Sequence, residues 1–161
     1  MFSAIRLAGR RTVGQVRMYA SDAPAAAGTV KLTFGSPSEG FYHDVVVDQV
    51  NVPSQEGDMG ILGNHVPTLA VLRPGVVSVY EQGQATPKQF FVSSGTITIN
   101  EGSGVQVIAE EAVKLDALDL SKAQQGLAEA QKEVLSAKSD VEKAEADIAY
   151  DTYRSMVAAL Q

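Results

Sequence analysis

Residues 29 to 109 alternate between short runs of β-branched and aromatic residues and groups of glycine, proline and polar residues. The runs predict strands, because such side chains suit a pleated, half-buried surface, and the groups between them predict turns. Strands this short bury an apolar face only against a second sheet, so the pattern predicts an antiparallel β-sandwich or barrel. The predicted strands are 29–34, 45–52, 66–72, 76–81, 89–93, 96–100 and 105–109.

The character of the chain changes at Asp119, after which proline is absent and Ala, Leu, Glu, Lys and Gln dominate, a composition that predicts helix. Asp119 can cap a first helix, and the segment from Ser139 to Glu142 matches a capping box that begins a second. Apolar residues recur at spacings of three and four, so we expect an antiparallel hairpin. The predicted seam consists of Leu120, Ala123, Leu127, Ala130, Val134 and Ala137, and of Val141, Ile148 or Ala149, Tyr153, Met156 and Leu160.

Together these regions predict an α+β chain of two domains, a β-sandwich at 29–114 and a helical hairpin at 118–161. Alanine fills much of the predicted seam, and it allows close helix approach but buries little apolar area. We therefore expect the hairpin to dock on the sandwich or on a partner protein. The alternative is that its helices only complete a local core.

Residues 1–19 contain four arginines among small and hydroxylated residues and no acid. That composition is typical of a mitochondrial transit peptide, and a disordered basic tail is the alternative. Arg17 precedes Tyr19 and Ala20 at a spacing that resembles matrix-protease sites, so we predict cleavage between Tyr19 and Ala20. An alanine-rich linker with proline and glycine is predicted at 20–28.

Removal of the first nineteen residues would leave nine basic against nineteen acidic residues, a net charge of −10. So acidic a surface disfavours nucleic acid and anionic lipid and favours partners with basic or polar groups. No apolar run approaches the ~20 residues needed to span a bilayer, so any membrane connection has to come through another protein. Cysteine is absent, which excludes disulfides, thiolate metal sites and cysteine nucleophiles.

The stretch 57–75 holds glycines at 57, 60 and 63 and prolines at 67 and 74. These residues interrupt regular structure and predict a shaped loop. The glycine spacing also fits a phosphate cradle, but neither a Lys followed by Ser or Thr nor a helix comes after it, as a P-loop requires. A partner-binding edge is therefore favoured over anion binding.

Catalytic chemistry has few candidates. His65 has no Ser, carboxylate or second His at a suggestive spacing, and His43 with Asp44 falls short of the four ligands of structural zinc. Glu110 and Glu111 are neighbours on a predicted strand, so they point to opposite faces. No catalytic residue, metal or cofactor is predicted.

Several motifs in register resemble one family. The segments 57–62 (Gly-Asp-Met-Gly-Ile-Leu), 65–67 (His-Val-Pro) and 72–75 (Leu-Arg-Pro-Gly) resemble the signature of the mitochondrial ATP synthase delta subunits, the counterparts of the bacterial epsilon subunits. Segments 91–95 and 109–112 and the closing helices continue the match in the family's order to the end of the chain. The predicted transit peptide agrees with a nuclear-encoded matrix protein.

The resemblance implies a ten-stranded sandwich and a helical hairpin in the central stalk of a rotary motor. It implies a non-catalytic subunit that contacts the gamma subunit through one sandwich face and the proton-driven c-ring through loops at its base. A small separate epsilon subunit would brace it. Rotation of the ring would pass into gamma and drive ATP synthesis in the catalytic head. The implied location is the matrix side of the mitochondrial inner membrane, with membrane contact only through the c-ring.

The family's c-ring contact can be carried over residue by residue onto the segment around the first glycines. Acidic side chains there can pair with basic or amide groups of the ring loops, and Ile61 with Leu62 can anchor apolar contact at a loop tip. The implied c-ring residues are Glu56, Asp58, Met59, Ile61, Leu62, Asn64 and His65.

The chain departs from the family's pattern in two places. Many relatives have Pro-Gly before the histidine, where this chain has Gly63 and Asn64. On the hairpin, Asp151 and Arg154 match the charged pair of the Asp-x-x-Arg-Ala motif that binds ATP in some bacterial relatives, but Ser155 replaces the alanine, so no nucleotide site is expected. Two other functions stay open: a regulatory module whose hairpin inhibits rotation or senses nucleotide, and a matrix enzyme, for which no converging catalytic groups are found.

Overall fold

The computed structural model describes residues 28–161, which form nine strands, a 3-10 turn and two helices. The predicted transit peptide, its cleavage site and nearly all of the predicted linker lie outside the described residues. The strands are β1 (Val30–Gly35), β2 (Gly40–Ser54), β3 (Gly57–Ile61), β4 (Thr68–Leu72), β5 (Gly75–Glu81), β6 (Lys88–Val92), β7 (Gly95–Ile99), β8 (Gly104–Ala109) and β9 (Ala112–Lys114). The 3-10 turn is Leu115–Ala117, α1 is Leu120–Ser136 and α2 is Asp140–Ala159.

The 15-residue strand β2 joins the two layers of the sandwich, because it pairs with β1 and also with β3 and β5. The strand order is β1-β8-β7-β4-β2-β5-β6-β9, with β3 added on β2 and β1 closing onto β2. Neighbouring strands among those described run antiparallel except β1 and β8, which are parallel. The predicted α+β fold, a β-sandwich followed by a helical hairpin, is confirmed, and the parallel pair is an addition to it.

Alternating side chains of the strands fill the space between the layers. In β1, the side chains of Val30, Leu32 and Phe34 are buried, and the residues between them are half-buried. Phe34, Phe41 and Phe90 meet with ring centroids 4.9 to 5.2 Å apart. Tilted and edge-to-face contacts of this kind add to the stabilisation that burial supplies. Large apolar residues therefore hold the sandwich together.

A polar cluster ties β2, β5 and β6 together at one end of their layer. Tyr42 donates a hydrogen bond to a carboxylate oxygen of Glu81 at 2.9 Å, and Lys88 donates to the same oxygen at 2.7 Å. The hydrogen bond from Lys88 is the main cause that lowers the pKa of Glu81 below its ordinary value. Burial is the main cause that raises the pKa of the Tyr42 hydroxyl, and the Glu81 carboxylate beside it raises this pKa further.

Two short strands, β3 and β9, were not predicted. Residues 57–61 were expected to be loop, but they pair along the end of β2. Gly60 lies opposite Asn51, and a Cβ on it would come within 3.2 Å of the Asn51 side-chain oxygen. The glycine thus makes room inside a strand. The ten strands implied by the family become nine within residues 28–161.

Two strands begin more than one residue from their predicted starts. The strand β2 begins at Gly40, whereas the sequence predicted position 45. The first residues of β2 pair with the end of β1. The turn from Ser36 to Glu39 joins the two strands, and in it the amide of Ser36 donates to the carbonyl of Glu39. The strand predicted at 66–72 begins only at Thr68, just after Pro67, which lacks a donor for a ladder.

Both predicted helix caps are confirmed. The Asp119 carboxylate accepts hydrogen bonds from the amides of Ser121 and Lys122, so α1 begins one residue later. The Ser139 hydroxyl accepts from the amide of Glu142 at the start of α2. The Glu142 carboxylate accepts from the amide of Lys138, one residue before the position that a capping box uses.

The helix seam follows the prediction on α1 and departs from it at the start of α2. Ala123 and Ala130 are buried on α1, as predicted. On α2, Val141 and either Ile148 or Ala149 were predicted in the seam. The side chains of Val141 and Ile148 are both 68% exposed, whereas Ala149 is half-buried and Ala146 is buried. The small side chain of Ala146 lets the helices approach closely. On a helix whose Ala146 faces its neighbour, the side chains of Val141 and Ile148 point outwards.

The hairpin docks on the sandwich through the end of α2. Ser155, Ala158 and Ala159 line an open groove of about 600 Å³ together with residues of β2, β3 and β5. The α2 residues that line this groove lie in the last turns of the helix, and α2 also contacts β5. The predicted docking of the hairpin on the sandwich is thus present, through a small area.

Candidate functional site along strand β3

The predicted c-ring residues lie along an edge strand and its two flanks. Within residues 28–161, β3 pairs only with β2. We call residues 55–58 the turn end and residues 62–65 the loop end of this strand. Five strand residues span ~17 Å at ~3.3 Å each, so the two ends are well separated. The sequence predicted a single loop, but the structure has an extended edge strand with a group of the predicted contact residues at each end.

Arg73 holds the turn end in place. Its guanidinium donates to a carboxylate oxygen of Asp58 at 2.7 Å and, through Nε, to the carbonyl of Ser54 at 3.1 Å. The Ser54 hydroxyl in turn accepts a hydrogen bond from the amide of Glu56 at 3.2 Å. Asp58 was expected to offer its charge to a partner, and the structure shows that this charge already has a partner in the chain.

The Glu56 side chain is exposed, and its carboxylate has no hydrogen-bond or ion-pair partner within the described part of the chain. Met59 is half-buried and packs against the core. At the turn end, then, Glu56 is the acid that remains available to another molecule.

The loop end is a tight turn closed by a hydrogen bond from the amide of His65 to the carbonyl of Leu62 at 3.2 Å. Asn64 has a φ of 65°, the conformation that the third residue of a type II turn requires. A Cβ on Gly63 would lie 2.6 Å from the backbone nitrogen of Thr29, so only glycine fits there. This geometry explains the departure from Pro-Gly: Asn64 supplies the positive φ, and Gly63 lies against the chain at the start of β1.

Ile61 was predicted to anchor contact at a loop tip, but the structure buries its side chain. Its side chain is 0% exposed and belongs to the core between the layers, whereas that of Leu62 is 55% exposed. Successive strand residues point to opposite faces, so the pair Ile-Leu divides between core and solvent. Ile61 can present no side chain to a partner and instead anchors the strand.

A second surface was missed by the sequence reasoning. Leu69 and Val71 on β4 and Ile108 on β8 are exposed, and the strand β7 between them contributes Thr96 and Thr98. Directly paired residues share a face of the sheet, so the three aliphatic side chains lie on one outer surface, which we call the apolar face. The signal was the unbroken apolar run in β4, since a strand with one solvated face alternates with polar residues.

The alternative chemistries gain no support from the geometry. Glu110 and Glu111 lie in a bend between β8 and β9, not on a strand as predicted, and both are exposed. Within residues 28–161, His, Asp and Glu side chains form no group of three that could hold a metal ion. Neither of the two described helices is both long and apolar enough to cross a bilayer.

The charged pair Asp151 and Arg154 lies exposed on α2. It faces a groove that Arg73 and Pro74 line from the sandwich side and Ser155 from the helix. The two residues that resemble a nucleotide motif are therefore beside the contact between the domains.

Comparisons with known proteins agree with this architecture. Residues 29–115 match the family described as ATP synthase, Delta/Epsilon chain, beta-sandwich domain. The chain is 41% identical over 153 residues to the mitochondrial ATP synthase subunit delta of Caenorhabditis elegans, which covers 93% of each chain. It is 39% identical over 145 residues to that of Saccharomyces cerevisiae, which covers 90% of this chain and 88% of the relative.

The fold is also similar to a chain in the cryo-EM structure of the Euglena gracilis mitochondrial ATP synthase assembly of OSCP, F1 and c-ring. The TM-score is 0.77 at 24% identity, with 100% of this chain and 97% of the other covered. A β-sandwich with a C-terminal helical hairpin is thus the class of protein that the structure defines. The chain belongs to the delta/epsilon family of ATP synthase subunits, and its relatives group it with the mitochondrial delta subunits.

Proposed function

We propose that the chain is a non-catalytic subunit of the central stalk of mitochondrial ATP synthase, where it links the c-ring to the gamma subunit. The observation that carries this proposal is the presence of two exposed surfaces on one closely packed sandwich, the β3 edge and the apolar face. A body that transmits torque needs two interfaces held rigidly apart, and densely packed interiors transmit strain. The subunit would then lie on the matrix side of the inner membrane and reach the membrane only through the ring.

The β3 edge supplies the proposed c-ring surface. Glu56 offers a charge that has no partner among residues 28–161 at the turn end, and Leu62 offers an exposed apolar side chain beside Asn64 and His65 at the loop end. Exposed charge pairs contribute only ~0–1 kcal/mol each, so attachment should depend on the whole edge. Asp58 and Met59 contribute to the edge through Arg73 and the core, and Ile61 supports it from within.

The apolar face supplies the proposed gamma surface. Single exposed aliphatic residues are ordinary on a protein surface, but Leu69, Val71 and Ile108 are grouped on one sheet face. A grouped apolar surface of this kind is typical of a protein interface. The small epsilon subunit is proposed as a further partner that braces the two domains of the chain.

The c-ring contact can be tested with Leu62→Asp. The variant, combined with Glu56→Lys, is introduced into the full chain in mitochondria that lack the native subunit, and the c-ring is then purified. We expect less of the variant subunit to co-purify with the ring. Leu135→Asp is the matched control, because Leu135 is 82% exposed but lies at the far end of α1. Equal recovery of the double variant and the control would refute the ring contact.

The gamma contact has a separate test. Leu69→Asp places a charge on the apolar face, on β4 and not on β3. We expect the variant to lose binding to purified gamma subunit while Leu135→Asp retains it. Unchanged binding of Leu69→Asp to gamma would show that the apolar face has another role.

A regulatory role of the hairpin is the second candidate function, and the small contact between α2 and β5 favours it. Cysteines at Ala158 and Ser78, which line the same groove, can be joined by a short bismaleimide crosslinker. If the hairpin regulates rotation by moving, crosslinking should change ATP hydrolysis or synthesis by the intact complex. Equal activity with and without the crosslink would exclude this role.

A further inference from the structure

Two buried serines lie next to the two ends of β3. Apart from Tyr42, Ser54 and Ser103 are the buried polar side chains within residues 28–161. The Ser54 hydroxyl accepts the hydrogen bond from Glu56 at the turn end, and its partner is only two residues away in the chain. Ser103 lies in the turn between β7 and β8, far from β3 in sequence, so its placement depends on the tertiary fold.

The Ser103 hydroxyl accepts a hydrogen bond from the amide of Asn64 at 2.7 Å. Ser103 is 3% exposed and has a φ of 67°, a conformation that few residues other than glycine adopt. Its own carbonyl accepts from the amide of Lys31 at 2.9 Å, which connects the turn to β1. A buried hydroxyl on a residue with an uncommon backbone conformation thus binds a backbone amide of the loop end.

The loop end is consequently held from two sides. Ser103 holds the amide of Asn64, and Gly63 lies against the backbone of Gly28 and Thr29. Leu62 and the Asn64 side chain remain exposed on the outside of this turn. A partner that binds them meets a surface whose shape exists before binding, and preorganisation of this kind reduces the ordering cost of association.

We propose that Ser103 is a positioning residue for the rotor interface: its hydroxyl fixes the loop end so that Leu62 and Asn64 are set for contact. The proposal rests on the proposed function, because it takes the β3 edge as a rotor contact. Ser103 itself is buried, so its effect on a partner would pass through the loop end.

The test uses Ser103→Gly in the full chain. Glycine accepts the positive φ of this position and removes the hydroxymethyl side chain, so the fold should be retained. Ser103→Ala is the second variant, because it keeps the Cβ. Glu101→Ala, an exposed residue of the same turn, is the control. Amide hydrogen exchange reports on Asn64 directly, and binding is measured against a purified subcomplex of gamma and c-ring that lacks this subunit.

We expect faster exchange of the Asn64 amide in both serine variants, with exchange in β5 and β7 unchanged. The dissociation constant should rise roughly three- to tenfold, the effect of one lost hydrogen bond. If exchange of Asn64 is unchanged, or if exchange rises and binding of the variants equals that of the wild type, the positioning role of Ser103 is overturned while the stalk function stands. If the wild-type chain itself does not bind the subcomplex, the proposed function fails, and this inference fails with it.

Discussion

The sandwich and the hairpin each have a core, and the side chains that fill the two cores differ in size. The sandwich fully buries large residues such as Phe34, Leu32 and Ile61, while the buried residues of the hairpin are Ala123, Ala130 and Ala146. Each buried methylene group contributes ~0.8 kcal/mol, so the hairpin gains far less from burial per residue. It depends more on its caps, on close helix approach and on the contact between α2 and β5.

Because their cores differ, the sandwich and the hairpin should also differ in stiffness. A sandwich with a dense core should move as one body, and under the proposed function it is the part that carries torque. Regions with few buried apolar contacts open locally at lower free energy, which applies to the hairpin. If the subunit regulates rotation at all, the hairpin is the region in which a conformational change costs least.

The largest effect is expected from the same substitution made at two adjacent positions, one in the core and one on the surface. Ile61→Asp puts a carboxylate into the core, and we expect it to lower the free energy of unfolding by ~4 kcal/mol or more. Leu62→Asp is the matched variant, and its exposed side chain should keep the change within ~0.5 kcal/mol. Urea denaturation followed by circular dichroism measures both. Similar values for the two variants would contradict the placement of Ile61 in the core.

The close approach of the helices can be tested at Gly126. A Cβ on Gly126 would lie within 2.6 Å of the Tyr153 ring. Gly→Ala in a helix usually stabilises by ~1 kcal/mol, but overpacking costs ~1–3 kcal/mol, so Gly126→Ala should destabilise the hairpin by ~1 kcal/mol.

Amide hydrogen exchange should then show faster exchange in α1 and α2 with unchanged exchange in the sandwich. The double variant Gly126→Ala with Tyr153→Ala relieves the overlap and is the control. A Gly126→Ala hairpin that exchanges more slowly than the wild type would show that helix propensity outweighs the contact.

The smallest expected effect concerns the charged cluster of the sandwich. The lowered pKa of Glu81 means that its ionised form stabilises the fold above the ordinary pKa of 4.5. This contribution is lost as the pH falls through the lower pKa of the folded state. Lys88→Met should therefore reduce the free energy of unfolding by ~1 kcal/mol or less at pH 7, and the difference from the wild type should shrink towards pH 3.

Lys132→Met is the control for this measurement, because Lys132 is an exposed residue of α1 that forms no ion pair with any of residues 28–161. Its effect should be small at both pH values. A difference between Lys88→Met and the wild type that grows on acidification would contradict the role of Lys88 in holding the Glu81 charge.

Local signals predicted much of the fold. The caps at Asp119 and Ser139 were predictable because capping depends on residues two or three positions away in the chain. Most strands were predictable from β-branched runs between turns. The strand β3 was not, because Gly57 and Gly60 have the composition of a loop, and only pairing with β2 makes them part of a sheet.

The candidate site was predictable in its location and less so in its arrangement. The exposed Leu62 and Glu56 were predicted as partner contacts from the family resemblance, and the contact itself stays a prediction. Ile61 was misplaced because its neighbour has the same hydrophobic character, and the sequence alone does not say which of two adjacent aliphatic residues faces the core. Arg73 was not assigned to the site because its partner Asp58 is fifteen positions away.

The sequence by itself determined the two kinds of domain, the start of each helix and the family, because these depend on local propensity and on motifs in register. The tertiary structure decided which residues of β3 face outwards, how Arg73 neutralises Asp58, and how Ser103 reaches Asn64 across the fold. These contacts join residues that are distant in the chain, and their geometry follows from strand pairing and layer packing, which a local pattern does not specify.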